Sequence, residues 1–212
     1  LDINFDEMYH KYLYRFEKTT RFPKLREIRK RMFEDRVMAW IFQILAGLAV
    51  ANKKIGFVHN DLHIQNVMGI KTSKRYLVYI LGGKKYRVPT YGFILKIIDF
   101  GRSTFEYEDQ LIIGDVFNDD QEAGGQYDDE TTPSSAFDVA RLGCSIVEDI
   151  NDCGSSILDE YSPILELLKS WTISDDDGTS FLEIDGFDLY VDIAKNFRKK
   201  TPNSQLESSV FD

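Results

Sequence analysis

Asp61, Asn66 and Asp99 are the residues of this chain whose types and spacing can carry chemistry. A phosphoryl group in transfer needs an acceptor hydroxyl held in line and a divalent cation to neutralise charge, and a protein contributes mainly position and electrostatics. Asp61, in His59-Asn60-Asp61-Leu62-His63-Ile64-Gln65-Asn66, offers a carboxylate that can accept or orient the hydroxyl proton. Asn66 brings a neutral amide oxygen to a hard cation without adding a second charge. Asp99, in Ile97-Ile98-Asp99-Phe100-Gly101, brings the anionic ligand. Magnesium prefers oxygen ligands, retains waters and takes only one or two carboxylates beside the phosphates of a nucleotide, so this sparse set suffices.

These residues must be delivered by secondary structure. Ile55, Phe57 and Val58 run apolar into His59, and Leu95, Ile97 and Ile98 run apolar into Asp99. Both stretches read as short buried strands with polar residues at their ends, and Gly101 is expected to free the backbone for a turn. An Asp-Phe-Gly triplet alone is common. The ordered pair, with Asp61 and Asn66 in one loop and Asp99 downstream, is specific.

On these motifs the chain resembles the carboxy-terminal lobe of the protein kinase superfamily. His59-Asn60-Asp61 to Asn66 is similar to the family's catalytic loop and Asp99-Phe100-Gly101 to its metal-binding turn. The resemblance implies an α+β, mainly α fold with small β-hairpins and the amino-terminal lobe absent. It further implies ATP and Mg2+ as cofactors, with Asp61 and His63 catalytic, Asn66, Asp99 and Gly101 at the nucleotide, and Asn66 and Asp99 holding the metal. His59 and Asp138 would be structural. Asp138 and Gly143, in Phe137-Asp138-Val139-Ala140-Arg141-Leu142-Gly143, resemble the start of the family's central buried helix, where the Asp braces the catalytic-loop backbone; the usual Trp is Ala140 here. An ordinary amphipathic helix with Asp138 in its first turn is the alternative. The wording around His59, Val88-Pro89-Thr90-Tyr91-Gly92 and Asp99 is similar to serine/threonine kinase-like proteins of large DNA viruses.

The departures from the family pattern carry information too. Asn60 stands where many protein kinases have an Arg that pairs with a phosphorylated activation segment, and an amide cannot bind phosphate that way. His63 replaces a Lys, and Asp-Leu-His resembles small-molecule phosphotransferases of the aminoglycoside and choline kinase type. It can meet a phosphate when protonated or simply hydrogen-bond the loop backbone. Before Asp61 the glycines are Gly47 and Gly56, so no Gly-rich loop covers phosphates, and no upstream strand carries the pairing Lys. Lys53 and Lys54 read as charges at a helix end. A fragment of a longer kinase is the simplest account; a split gene or a degenerate kinase would leave the same residues.

With 212 residues, 43% hydrophobic and 29% charged, the chain can bury one sizeable core. The pattern contains no apolar run long enough to span a bilayer and no cleavable signal, which implies an intracellular, cytoplasmic protein without membrane partners. Cys144 and Cys153 lack metal-site spacing and read as reduced, packed residues. The net charge of −9 is uneven. Basic residues dominate from Lys11 to Arg36, whereas none occurs between Arg102 and Arg141, a segment rich in Asp and Glu. That acidity would repel nucleic acid and favour a basic protein substrate by steering, unless the run is only a solvated or mobile loop.

One lobe spans 1–212: helical 23–54, catalytic loop and hairpin insertion 55–101, an activation-type segment 102–135, helical 136–200 and a tail 201–212 that is expected to be poorly ordered. Pro23 opens one helical pattern and Val37 to Leu48 a second, more apolar one. Tyr76–Leu81, Gly82-Gly83 and Tyr86–Val88 read as an extra hairpin inserted in the sheet. Ile157–Trp171, with Pro163 interrupting or starting a helix, and Phe187–Lys199 read as helical. Asp175-Asp176-Asp177-Gly178 fails as a calcium loop because position 184 is Ile rather than Glu.

Three functions follow. The first is an ATP-dependent phosphotransferase acting on a Ser or Thr hydroxyl of a protein, completed by a missing amino-terminal lobe, or on a small alcohol. The second is a non-catalytic kinase-like interaction module. The third, a hydrolase using His59, Asp61 and His63 as metal ligands, leaves Asn66 and Asp99 unexplained.

Overall fold

The computed structural model describes residues 3–19, 21–128 and 131–211. It is α+β, with most regular residues helical. Strand β1 (Ile3–Asn4) leads into α1 (Phe5–Glu17), and Pro23 opens α2 (Pro23–Ile55). Strands β2 (Val67–Lys71), β3 (Tyr76–Leu81), β4 (Lys84–Pro89) and β5 (Phe93–Ile97) follow, then a short hairpin of β6 (Phe105–Tyr107) and β7 (Gln110–Ile112). The remainder is helical: α3 (Ala136–Asp152), α4 (Pro163–Ser170), α5 (Asp188–Asn196) and α6 (Pro202–Leu206).

Helix α2 is one uninterrupted rod of 33 residues where the sequence suggested two helices. Pro23 suits the first helical turn, where its missing N–H costs nothing. No Pro follows, and Gly47 is tolerated without breaking the hydrogen-bond ladder. The rod stops at Gly56, whose φ of 59° is left-handed and whose N–H closes on the Asn52 carbonyl. Its first half is largely exposed; its second half, from Val37 to Ala49, is buried almost all round, with Trp40, Ile41 and Leu45 fully enclosed.

The long apolar side of α2 meets α1, a helix absent from the sequence reading although Phe5, Met8, Tyr9, Leu13 and Phe16 recur at helical spacing. Those five residues are its buried face. Aromatic edges join the pair: Phe5 to Trp40 at 6.4 Å and Tyr9 to Phe33 at 6.3 Å between ring centroids. Helix α3 lies in the same core with Phe137, Val139, Leu142, Ile146 and Ile150 buried.

Three antiparallel strands stand in the order β1-β2-β5, with Val67 opposite Ile97 and Gly69 opposite both Ile3 and Leu95. The predicted hairpin forms, with Tyr79 facing Tyr86, but β3 and β4 make a separate two-stranded sheet rather than extending the first. Gly82 and Gly83 both have positive φ at its tip, as a two-residue hairpin turn requires.

Two further expectations change. The run from Ile55 to Val58 is not a strand: Ile55 ends α2 half-exposed, and Val58 makes a single bridge to Thr104. The tail is ordered. Thr201 caps α6, Leu206 is buried, the Trp171 indole N–H donates to Gln205 at 2.8 Å, and Phe211 packs on Phe42. The indole N–H needs a partner once Trp171 is buried, and that requirement docks the tail. Asp175 takes no calcium-loop role, instead pairing with Lys200 at 2.7 Å and accepting the N–H groups of Arg198 and Lys199.

Candidate active site

The loop after Gly56 is fixed at its backbone before any side chain acts. Val58 and Thr104 exchange two main-chain hydrogen bonds of 2.9 Å. The N–H groups of His59 and Asn60 donate to the two carboxylate oxygens of Asp138, at 2.8 and 2.9 Å. Asp138 lies in the first turn of α3 and is fully buried, as are His59 and Asn60. Burial pushes the Asp138 carboxyl up to about 7, and the two donated N–H bonds pull against that rise.

His59 holds the other side of the loop. Its Nε2 lies 2.9 Å from the Ile98 carbonyl; since a carbonyl only accepts, Nε2 carries the proton. Burial lowers the pKa of His59, which favours this neutral form. The Ile98 N–H in turn donates to the Asn66 carbonyl at 3.0 Å. These two contacts tie the loop to the residue immediately before Asp99, joining positions 39 and 32 apart in sequence.

Within the loop, Asn66 donates its Nδ2 to the Asp61 main-chain carbonyl at 2.9 Å and lies 3.2 Å from His63 Nε2. With its NH2 end committed, the remaining coordinating atom of the Asn66 amide is its oxygen. His63 Nε2 is 3.9 Å from Asp61 Oδ2. Burial lowers the His63 pKa, while the carboxylates of Asp61 and Asp99 oppose that shift. Asp99 is exposed and adopts a left-handed φ of 63°. This corrects the role expected of Gly101: the unusual backbone conformation of the turn falls on Asp99, an Asp being among the side chains that tolerate it, and Gly101 keeps ordinary φ.

Several residues of the site had no signal in the linear pattern. Tyr190, from α5, donates its hydroxyl to Asp61 Oδ1 at 2.5 Å and receives the Arg141 Nε–H at 3.2 Å. The guanidinium of Arg102 lies over the Tyr190 ring at 4.8 Å. Asn60, in left-handed conformation, donates to the Arg102 carbonyl and Thr104 Oγ1 at 2.9 and 3.2 Å and accepts from the Tyr127 hydroxyl. The acidic segment is therefore pinned near both ends while its middle, including β7, is exposed. Hydroxyls arriving from more than 60 residues away cannot be read from local spacing.

Asp61, His63 and Asn66 thus lie together in one loop, the charge of Asp99 reaches both His59 and His63, and Asp138 braces the loop backbone. The donors are oxygens, with one neutral amide and one exposed carboxylate, a set chemically suited to a hard divalent cation. His59, Asp61 and His63 do not bring three ligand atoms within 4.8 Å of one another, and His59 Nε2 is committed to the Ile98 carbonyl.

No family model matches the chain. It is 35% identical over 128 residues to the serine/threonine-protein kinase haspin of Bos taurus, an overlap covering 60% of this chain and 15% of that protein. Similarity to the haspin homolog of Arabidopsis thaliana is 33% over 85 residues, or 40% of this chain and 14% of the relative. A probable serine/threonine-protein kinase of Invertebrate iridescent virus 6 is 38% identical over 72 residues, 32% of this chain and 14% of the relative. The chain is therefore related to the protein kinase superfamily. Its relatives are haspin-type and viral serine/threonine kinases, and it spans about 15% of the length of the bovine one. Among the described residues, no helix is long and apolar enough to cross a membrane.

Proposed function

We propose that this chain is the catalytic lobe of an ATP-dependent serine/threonine phosphotransferase of protein kinase type. The observation that carries the reading is the His59–Ile98–Asn66 linkage, which sets the Asp61 loop and Asp99 side by side. Asp61 holds the acceptor hydroxyl and takes its proton; the Tyr190 hydroxyl bonded to the same carboxylate keeps it oriented. Asn66, through its amide oxygen, and Asp99 would hold Mg2+, which when bound with ATP neutralises phosphate charge. Neutral His63 sits between Asp61 and Asn66 and serves position more than charge at neutral pH.

The acidic stretch after Gly101 favours a basic protein substrate. Asn60 holds that stretch through uncharged hydrogen bonds, so its placement needs no phosphate. A partner lobe, carried by a segment outside 1–212, would complete the nucleotide pocket. In support, Phe100 is 56% exposed beside Asp99, at the rim of an apolar groove of about 330 Å³ lined by Ile44, Leu48, Phe57 and Leu95.

The test is phosphate transfer from ATP to a basic protein by the longest natural chain containing these residues, beside Asp61→Asn and Asp99→Asn. Loss of transfer in both variants is the expected result. Transfer to an aminoglycoside or choline instead would move the substrate to small alcohols. Activity that survives Asp61→Asn would refute the assignment and leave a non-catalytic or different role for the loop.

A further inference from the structure

A second set of polar side chains gathers where α1 meets the end of α3. His10 Nε2 lies 2.7 Å from Asp149 Oδ2, and Cys153 Sγ lies 3.6 Å from the same nitrogen. One ligand atom from each of His10, Asp149 and Cys153 falls within 4.8 Å of the others, the one such convergence among the described residues. The residues come in pairs four apart, Asp6 with His10 on α1 and Asp149 with Cys153 at the end of α3. That spacing puts both members of a pair on one helix face. Asp6 keeps a buried carboxylate oxygen, Oδ1, without a hydrogen-bond partner, and its charge reaches Cys153.

We propose that His10, Asp149 and Cys153 form a site for a divalent cation of the zinc class, stapling α1 to α3, and that the Asp6 carboxylate, which lies outside the 4.8 Å convergence of the other three, turns in to complete a tetrahedron. The ligand chemistry selects the metal: one thiolate and one imidazole suit zinc and disfavour magnesium or calcium, and two carboxylates complete the set. The spacing fits as well. Zinc bonded to sulfur at about 2.3 Å and to nitrogen at about 2.0 Å in a tetrahedron separates the two ligand atoms by about 3.6 Å, the separation between Cys153 and His10. His10 and Asp149 are at hydrogen-bond distance and must open by about 0.6 Å to ligate together. Both are partly exposed and can make that movement. Tyr9, buried behind them, donates its hydroxyl to Asp149 Oδ2 at 2.6 Å, the outer hydrogen bond that orients a ligating carboxylate. Cys153 is exposed, which gives the ion a route in, and binding releases the thiol proton to solvent.

The experiment is a titration of the full 212-residue chain, free of affinity tags, with Zn2+ against a chromogenic chelator, and with Co2+ followed by absorption. One ion per chain is expected, with a thiolate-to-cobalt charge-transfer band and tetrahedral ligand-field bands. Cys153→Ser, at an exposed position, should abolish the charge-transfer band and weaken Zn2+ at least tenfold. Asp6→Asn should weaken it by about tenfold while keeping the band. Independently, Zn2+ should slow alkylation of Cys153 at least tenfold; Cys144 is buried and does not interfere. A cobalt spectrum without thiolate, or an alkylation rate indifferent to Zn2+ in the folded chain, would overturn the site and leave a hydrogen-bonded triad.

Discussion

Replacing Asp138 with Ala removes the acceptor for two N–H groups in residues with no solvent access. Each buried donor left unpaired costs about 1–3 kcal/mol, so the gross loss is about 2–6 kcal/mol. Some of this is returned, because a carboxylate held in a water-free core is itself unfavourable, as its raised pKa shows. A net destabilisation of about 2–4 kcal/mol is expected near neutral pH. Asp138→Asn keeps one carbonyl oxygen but turns an NH2 group toward the second N–H, so it should lose less, about 1–3 kcal/mol. Urea unfolding gives the global number. Amide hydrogen exchange at His59 and Asn60 gives the local one, since the loop should open there first. An Ala variant within about 0.5 kcal/mol of the parent, with both amides still protected, would refute the brace.

The same carboxyl predicts a pH dependence. Its folded pKa, about 7, lies above the ordinary carboxylate value, so the folded state holds a proton that the unfolded state releases. The stability it contributes is complete below about pH 4 and is lost as pH rises through about 7. The urea midpoint of the parent should therefore fall more between about pH 5 and 8 than that of Asp138→Asn; parallel curves would contradict this. Gly143→Ala places a Cβ 2.6 Å from the Trp171 Cβ, on the packed contact of α3 with α4, and should cost about 1–3 kcal/mol in denaturant unfolding. Gln205→Leu leaves the Trp171 indole N–H unpaired and should lower stability by about 1–3 kcal/mol; an unchanged midpoint would show that the tail is not docked through this bond. Tyr190→Phe keeps the ring but removes the hydroxyl from Asp61, and kcat for phosphate transfer should fall roughly tenfold with little change in KM for ATP.

By itself the sequence determined the chemistry available. The types and order of Asp61, Asn66 and Asp99 supply the oxygen groups that a hard cation and an attacking hydroxyl would require in a short loop and a turn, and the proposed phosphoryl transfer rests on them. The Gly-Gly tip of the β3–β4 hairpin was legible because its signal is local, and Pro163, read as either interrupting or starting a helix, starts α4. The fused length of α2 was decided by burial against α1, α6 and β5, since helical propensity alone left a boundary open near Val37. The docked tail depends on Trp171 needing Gln205, a bond between residues 34 apart. Tertiary structure alone placed Tyr190 on Asp61, Tyr127 on Asn60 and Cys153 beside His10. Each of these contacts joins positions at least 67 residues apart, and side-chain hydrogen bonds across such separations leave no periodicity in a chain, since only the packed core brings the partners within reach.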